Sequence, residues 1–238
     1  MKISLIIPMY NESKVIKNTA LALSEYMQRN FDSYEIIFSD DGSVDSSVNI
    51  VDSLQLPCVR VVSDGKNYGK GHAIKVGVEN AEGDIIMFTD ADLAYGTDVI
   101  AEAYRLLSAA DDCGMLVGSR NLDKEGYGNY PTLRKKASKV YIKILGKLGG
   151  FDLSDSQCGC KAFKKDAGKK IFAALETNGF AFDIEAILLA GKFGIKIVEM
   201  PVKLKTHAES SVSIVRDSIK MLRDLMRIKK RIKKMPRS

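Results

Sequence analysis

The chain has 238 residues, 45% hydrophobic and 28% charged, a balance that excludes wholesale disorder and provides for one sizeable core. No apolar run approaches the roughly 20 residues a membrane-spanning helix needs. The net charge of +6 is lodged in the tail: from Arg216 onward ten Lys/Arg face two Asp/Glu, a local +8, so the remainder carries −2, which argues against a nucleic-acid-binding body.

In chain order, the N-terminus lacks a signal-type apolar region with a small-residue cleavage site, so the chain is expected to start and stay in the cytosol. It reads instead as a first strand over 3–7, ended by Pro8. A helix is expected over 13–29, a strand over 34–39, a helix over 45–54 and a strand over 59–62. A helix over 71–80, a strand over 84–89, a helix over 97–109 and a strand over 115–118 follow. The strands are continuously apolar rather than alternating, which implies burial on both faces, and their separation by helices implies a mostly parallel sheet. The second half is less regular, with helices near 133–148 and 184–193 and a loop over 152–161. Cys58, Cys113, Cys158 and Cys160 are spaced for neither a disulfide framework nor zinc, and read as buried or half-buried thiols.

Ligands of such sheets bind beyond the carboxyl ends of the strands. Here those ends carry Pro8-Met9-Tyr10-Asn11-Glu12, Asp40-Asp41-Gly42-Ser43 and Asp90-Ala91-Asp92. Residues i and i+2 of extended backbone project to one side, so Asp90 and Asp92 could share a hard divalent cation, or one could hold the cation and the other a sugar hydroxyl. The plainer reading makes them caps of the next helix. Asp41 could accept from a nucleobase N–H, although the same segment also reads as a turn with Ser43 or Asp45 capping a helix. Tyr68-Gly69-Lys70-Gly71 fits neither a dinucleotide fingerprint nor a P-loop, yet its glycines would let backbone pass close to a ligand and Lys70 could meet phosphate. Arg120, ending Gly118-Ser119-Arg120, could fork onto phosphate oxygens or form a surface ion pair.

Together the series P-x-Y-N-E, D-D-G-S-x-D, G-K-G-x-A, D-A-D and G-S-R resembles glycosyltransferase family 2 of the GT-A fold over about residues 3–205. Asp155-Ser156-Gln157-Cys158-Gly159-Cys160-Lys161 and Phe180-Ala181-Phe182-Asp183-Ile184-Glu185 look like the polyprenyl-phosphate branch, the dolichyl-phosphate glucose and mannose synthases. The resemblance implies an α/β, Rossmann-like mixed sheet flanked by helices over 1–207, followed by a basic amphipathic helix over 208–238. It also implies that Pro8, Tyr10, Glu12 and Asp41, beside Asp40, enclose the base and ribose. Asp90 and Asp92 would hold Mg²⁺ or Mn²⁺ against a diphosphate. Arg120, Arg134 and Ser138 would serve phosphate groups, including the acceptor's, and Asp155 and Gln157 would line the sugar and acceptor side. Mannose synthases often carry D-A-D-L-Q-H, whose glutamine adds a metal ligand that Leu93-Ala94-Tyr95 lacks; with Asp155–Lys161 and Tyr68–Gly71 looking more like the glucose branch, this tilts the expectation from GDP-mannose to a UDP-hexose.

The chemistry implied is a single inverting displacement at the anomeric carbon. An acceptor phosphate needs no strong base; an acceptor hydroxyl would need Asp155 or Asp183. Histidine catalysis is not expected from a chain holding only His72 and His207. The metal reading fails if Asp90 and Asp92 point away from a cleft or pair with lysines in place of a cation. Residues 134–148 and the tail carry apolar residues at helical spacing among lysines and arginines, a pattern for an anionic membrane surface at the cytoplasmic face or for a helix packed on the body. Competing readings are a polysaccharide hydroxyl acceptor, a nucleotidyltransferase and a non-catalytic membrane-surface module; a homodimer is left open.

Overall fold

The computed structural model describes residues 1–128, 130–205 and 214–236, without the side chains of Leu133, Arg134 and 214–219. Its elements run β1 (Ile3–Met9), α1 (Ile16–Asn30), β2 (Tyr34–Asp40), α2 (Ser47–Ser53) and β3 (Val59–Ser63). Then come α3 (Lys70–Asn80), β4 (Ile85–Phe88), α4 (Asp98–Ala109), β5 (Cys113–Ser119) and α5 (Thr132–Gly149). The chain closes with β6 (Lys161–Lys164), α6 (Lys165–Ala174), α7 (Phe182–Lys192), β7 (Lys196–Pro201) and α8 (Ile214–Lys234).

Seven strands form one sheet in the order β3-β2-β1-β4-β6-β5-β7. Pairing is parallel except at β6, which runs antiparallel to both β4 and β5. The continuous apolar runs are explained by helices on both faces. Leu5 and Ile7 of β1 join Leu23 of α1 and Ile100 of α4 in one core layer, whereas Ile6 joins Ile74 of α3 and Phe172 of α6 in the other.

The first five expected strands and their intervening helices are all present, with ends shifted by up to three residues. The second half departs further from expectation. The expected loop over 152–161 ends in β6, a four-residue strand with lysines at both ends, and neither β6, α6 nor β7 was legible as an element. Such short segments offer too few residues for a periodic signal.

The basic C-terminal helix packs on the body. Leu225, Ile228 and Ile232 of α8 are buried against α5 and α7 residues that include Leu145, Ile184 and Ile187. Of the two readings the sequence leaves open for the tail, these residues follow the helix packed on the body. Ile214, Arg216 and Ile219 have side chains outside the described residues, and the 207/208 boundary also lies outside them.

Candidate active site

The carboxyl ends of β1, β2 and β4 share one rim, and the loops after β1 and β2 are clasped together. Asn11, in the left-handed region at φ 57°, accepts from the Val44 N–H at 2.9 Å and the Asp45 N–H at 3.3 Å through its amide oxygen. Its own N–H donates to Ser43 Oγ at 2.9 Å, the Glu12 N–H to Ser47 Oγ at 2.8 Å and the Ser13 N–H to Asp45 Oδ2 at 3.1 Å. Hydrogen bonds from Ser47 and Ser13 hold the Asp45 carboxyl down to about 2. The backbone of Glu12 is thereby fixed. Burial, then the Asp92, Asp45 and Asp90 carboxylates, push the Glu12 carboxyl up.

Asp40 and Asp41 part ways. Asp40 accepts from the N–H groups of Gly42 and Ser43 and from Ser63 Oγ, between 3.0 and 3.1 Å, so its carboxylate organises its own turn. Asp41 reaches the loop before α3, accepting from the Tyr68 N–H at 2.9 Å and the Gly69 N–H at 2.9 and 3.0 Å. Gly69 has φ 115°, and a Cβ there would lie 2.6 Å from the Asn178 carbonyl oxygen. A Cβ at Gly71 would meet the Thr177 carbonyl oxygen at 2.5 Å, and the Gly71 N–H donates to the Asn178 carbonyl at 2.7 Å. The two glycines therefore admit the 177–178 backbone, which caps α3, rather than the ligand the sequence reading places there.

Asp90 and Asp92 follow β4 on a short loop. Helix α4 starts at Asp98 with Thr97 as its cap residue, so neither aspartate caps it. The Thr19 hydroxyl pins the loop by donating to the Ala91 carbonyl at 2.6 Å, and Leu93 adopts φ 49° just beyond. Asp92 uses one oxygen on the Ala94 N–H at 3.0 Å; burial, then Asp90, raise its carboxyl above the ordinary value. Asp90 Oδ1 pairs with Lys70 Nζ, and its Oδ2 faces Gly159, whose missing side chain leaves room for it. Burial works against the Lys70 charge, but Asp90 outweighs it and holds the ammonium above its usual range.

The pairing with a lysine that would argue against a metal is thus met at Asp90 and not at Asp92. No group of three acidic, histidine or cysteine side chains in metal-binding reach exists among the described residues. Two carboxylates nevertheless fit a hard cation that takes its other ligands from phosphate and water. The Lys70 ammonium, a cation already seated on Asp90, shows that the position attracts positive charge.

Two further ion pairs are buried. Arg120 grips Asp155 bidentately, Nε to Oδ2 at 2.7 Å and Nη2 to Oδ1 at 3.0 Å, with the Asp155 side chain fully buried. Lys161, also fully buried, donates to Asp183 Oδ1 at 2.6 Å and to the Cys158 carbonyl at 2.7 Å. Burial pushes the Asp183 carboxyl up against the pull of Lys161.

The sequence profile of glycosyl transferase family 2 matches residues 4–172, most of the chain. The chain belongs to glycosyl transferase family 2. It is 30% identical over 234 residues to dolichyl-phosphate beta-glucosyltransferase ALG5C of Trichomonas vaginalis, covering 94% of this chain and 69% of that protein. It is 30% identical over 233 residues to undecaprenyl-phosphate 4-deoxy-4-formamido-L-arabinose transferase of Edwardsiella ictaluri, covering 94% of this chain and 66% of that one. The chain thus spans about two thirds of the length of these curated relatives. Among solved structures it resembles glucosyl-3-phosphoglycerate synthase of Mycobacterium tuberculosis in complex with Mn²⁺, UDP and glucosyl-3-phosphoglycerate. That likeness has a TM-score of 0.70 at 17% identity, covering 100% of this chain and 81% of that one, and it supports the GT-A type of fold.

In this family 2 chain the ion pairs engage three candidate site residues. The Arg120 fork is filled by Asp155, the ion-pair alternative of the sequence reading, though buried and not on the surface. Asp155, the hydroxyl-acceptor base candidate, is fully buried and paired with that guanidinium. Asp183 is spoken for by a buried ammonium. Other residues stand as follows. Tyr10 is exposed and Pro8 and Glu12 are half-buried at the first strand's end. Gln157 is half-buried, its N–H donating to Asp155 Oδ1 at 3.1 Å. Ser138 Oγ lies 3.5 Å from the Tyr127 hydroxyl, and the Arg134 side chain lies outside the described residues. His72 pairs with Asp64 at 2.7 Å, and His207 also lies outside the description.

Sequence reasoning missed Asn11 and Asp45 as the clasp, Gly159 as the wall behind Asp90 and Lys161 as the partner of Asp183. It also missed Glu199, which accepts from the Ser154 and Asp155 N–H groups at 2.9 and 3.2 Å. Lys161 and Glu199 did carry a signal, a lone charge entering or interrupting an apolar run.

Proposed function

We propose that this chain transfers a hexose from a nucleotide diphosphate to a polyprenyl-phosphate acceptor at the cytoplasmic surface of a membrane, with inversion. The observation that carries this reading is the convergence of Glu12, Asp90 and Asp92 with Lys70 on the rim that also bears Asp41. Pro8, Tyr10, Glu12 and Asp41 would enclose base and ribose. Asp90 and Asp92 would hold Mg²⁺ or Mn²⁺, in keeping with the Mn²⁺ and UDP of the mycobacterial enzyme. Such a cation, when bound, screens the charge that develops on the leaving diphosphate. Lys70 stands where it can pass from Asp90 to a phosphate oxygen.

In the displacement, an acceptor oxygen forms its bond to the anomeric carbon as the bond to the diphosphate oxygen breaks. A phosphate acceptor is favoured over a hydroxyl because it arrives ionised, and both acids offered as bases, Asp155 and Asp183, are engaged by buried cations. The polyprenyl- and dolichyl-phosphate names of the relatives support the same acceptor class, and the glucosyltransferase among them supports a UDP-hexose over GDP-mannose.

Among the described side chains, membrane contact is better carried by α5 than by α8. Val140, Ile144 and Leu148 are exposed at i, i+4 and i+8, flanked by exposed Lys136, Lys139, Lys143 and Lys147. No helix among the described residues is long and apolar enough to cross a membrane. The test is a panel of UDP- and GDP-sugars with Mn²⁺ read by thermal shift, followed by organic-solvent partition of labelled product. Stabilisation by a UDP-hexose and a lipid-soluble product are expected. Stabilisation by GDP-mannose alone would reverse the donor assignment, and a water-soluble product would reverse the acceptor.

A further inference from the structure

Glu185 closes the Phe182-Asp183-Ile184-Glu185 segment, yet it does not face the rim. It is fully buried in α7, and its two oxygens accept from the backbone of the segment after α6: Glu176 N–H to Oε1 at 3.2 Å and Thr177 N–H to Oε2 at 2.7 Å. Its one cationic partner among the described residues is Arg231 of α8. Arg231 also donates to the Ala174 carbonyl at 3.2 and 3.3 Å and to Glu176 Oε1 at 2.7 Å. A single guanidinium from the C-terminal helix therefore holds both the buried carboxylate and the strap that the carboxylate holds.

That strap leads directly to the candidate donor pocket. The next carbonyl, Asn178, accepts from the Gly71 N–H at 2.7 Å and the His72 N–H at 3.3 Å, and it lies against Gly69. Gly69 and Tyr68 are the donors that fix Asp41, and Lys70 between the glycines is the partner of Asp90. The contacts run unbroken from Arg231 through Glu185, the 176–178 backbone and the start of α3 to Asp41 and Lys70. A carboxylate buried without its counter-charge is costly, so loss of Arg231 forces Glu185 to move or take a proton, and the strap loses its anchor.

We infer that Arg231 is a positioning residue for the nucleotide pocket, its ion pair with Glu185 setting donor affinity through the 176–178 strap. This rests on the proposed donor pocket. The test titrates UDP and GDP with Mn²⁺ into the full chain by calorimetry, at a temperature where every variant is folded. Arg231→Gln should weaken binding of whichever nucleotide binds by about tenfold. Ile232→Ala, which loosens the same helix without touching Glu185, should leave affinity unchanged at a similar loss of Tm. Recovery of affinity in Arg231→Lys would add support.

Equal affinity for Arg231→Gln and the unaltered chain, or equal weakening by Ile232→Ala, would overturn the inference. Absence of nucleotide binding to the unaltered chain would instead overturn the donor pocket itself. Should Arg231→Gln not fold, amide exchange of the unaltered chain decides: coupling is reciprocal, so nucleotide must slow exchange at residues 228–234. Unchanged exchange there would sink the proposal.

Discussion

The backbone of Gly159 stands against the Asp90 carboxylate so closely that a Cβ would overlap Oδ2. Gly159→Ala must therefore displace either the turn or the carboxylate. Because Lys161 anchors the same turn through the Cys158 carbonyl, the carboxylate is the part that yields. Mn²⁺-dependent binding of UDP is expected to fall by at least about tenfold, with far-UV circular dichroism unchanged. Calorimetric titration checks this, and full affinity in the variant would remove Asp90 from the cation site.

Asp92→Asn should separate stability from binding. Burial and Asp90 raise the Asp92 carboxyl, so the folded chain binds its proton more readily than the unfolded chain does. Stability is then greatest below the unfolded pKa and declines as pH rises through the folded value. At neutral pH the substitution relieves this repulsion, and the metal-free protein should melt ~2 °C higher. The gain should vanish in acid, while Mn²⁺-dependent nucleotide binding is lost. A lower Tm at neutral pH would contradict the like-charge account.

The Arg120–Asp155 pair predicts a large structural cost. Asp155→Asn leaves a nearly buried guanidinium without its counter-charge, which should lower unfolding free energy by about 3 kcal/mol. Urea denaturation of the variant and of Arg120→Met/Asp155→Asn measures it, the double variant recovering part of the loss. A surface-like cost below ~1 kcal/mol would show the pair to be solvated.

For the membrane face, Val140→Ser/Ile144→Ser/Leu148→Ser should abolish flotation with anionic vesicles. Met226→Ser on α8 should leave it intact. The unaltered chain should float less at high salt, since the lysine contribution is screened. Flotation of the triple variant at wild-type level would reject α5 as the contact.

The doubly covered half of the sheet was legible because continuous apolar runs alternate with helical periodicity, as at Ile3 to Ile7 and Ile85 to Phe88. The acidic loops were legible because strand ends put them there. What could not be read were long-range partnerships. Lys161 with Asp183 and Arg120 with Asp155 are 22 and 35 residues apart. Nothing local distinguishes a carboxylate facing a cleft from one facing a buried cation. The glycines at 69 and 71 mislead in the same way: sequence reveals that something approaches closely, and only the fold identifies it as the backbone at 177–178.

Because β6 runs against its neighbours, it begins where they finish. The stretch feeding into it, from Ser154 to Cys160, is thereby delivered to the working edge from a part of the chain remote from the nucleotide-side loops. On the proposed function, lengthening or reshaping that stretch would remodel what approaches from the acceptor side while the clasp at Asn11 and Asp45 stayed put. On that reading one scaffold keeps its grip on the activated sugar and exchanges the molecule that receives it.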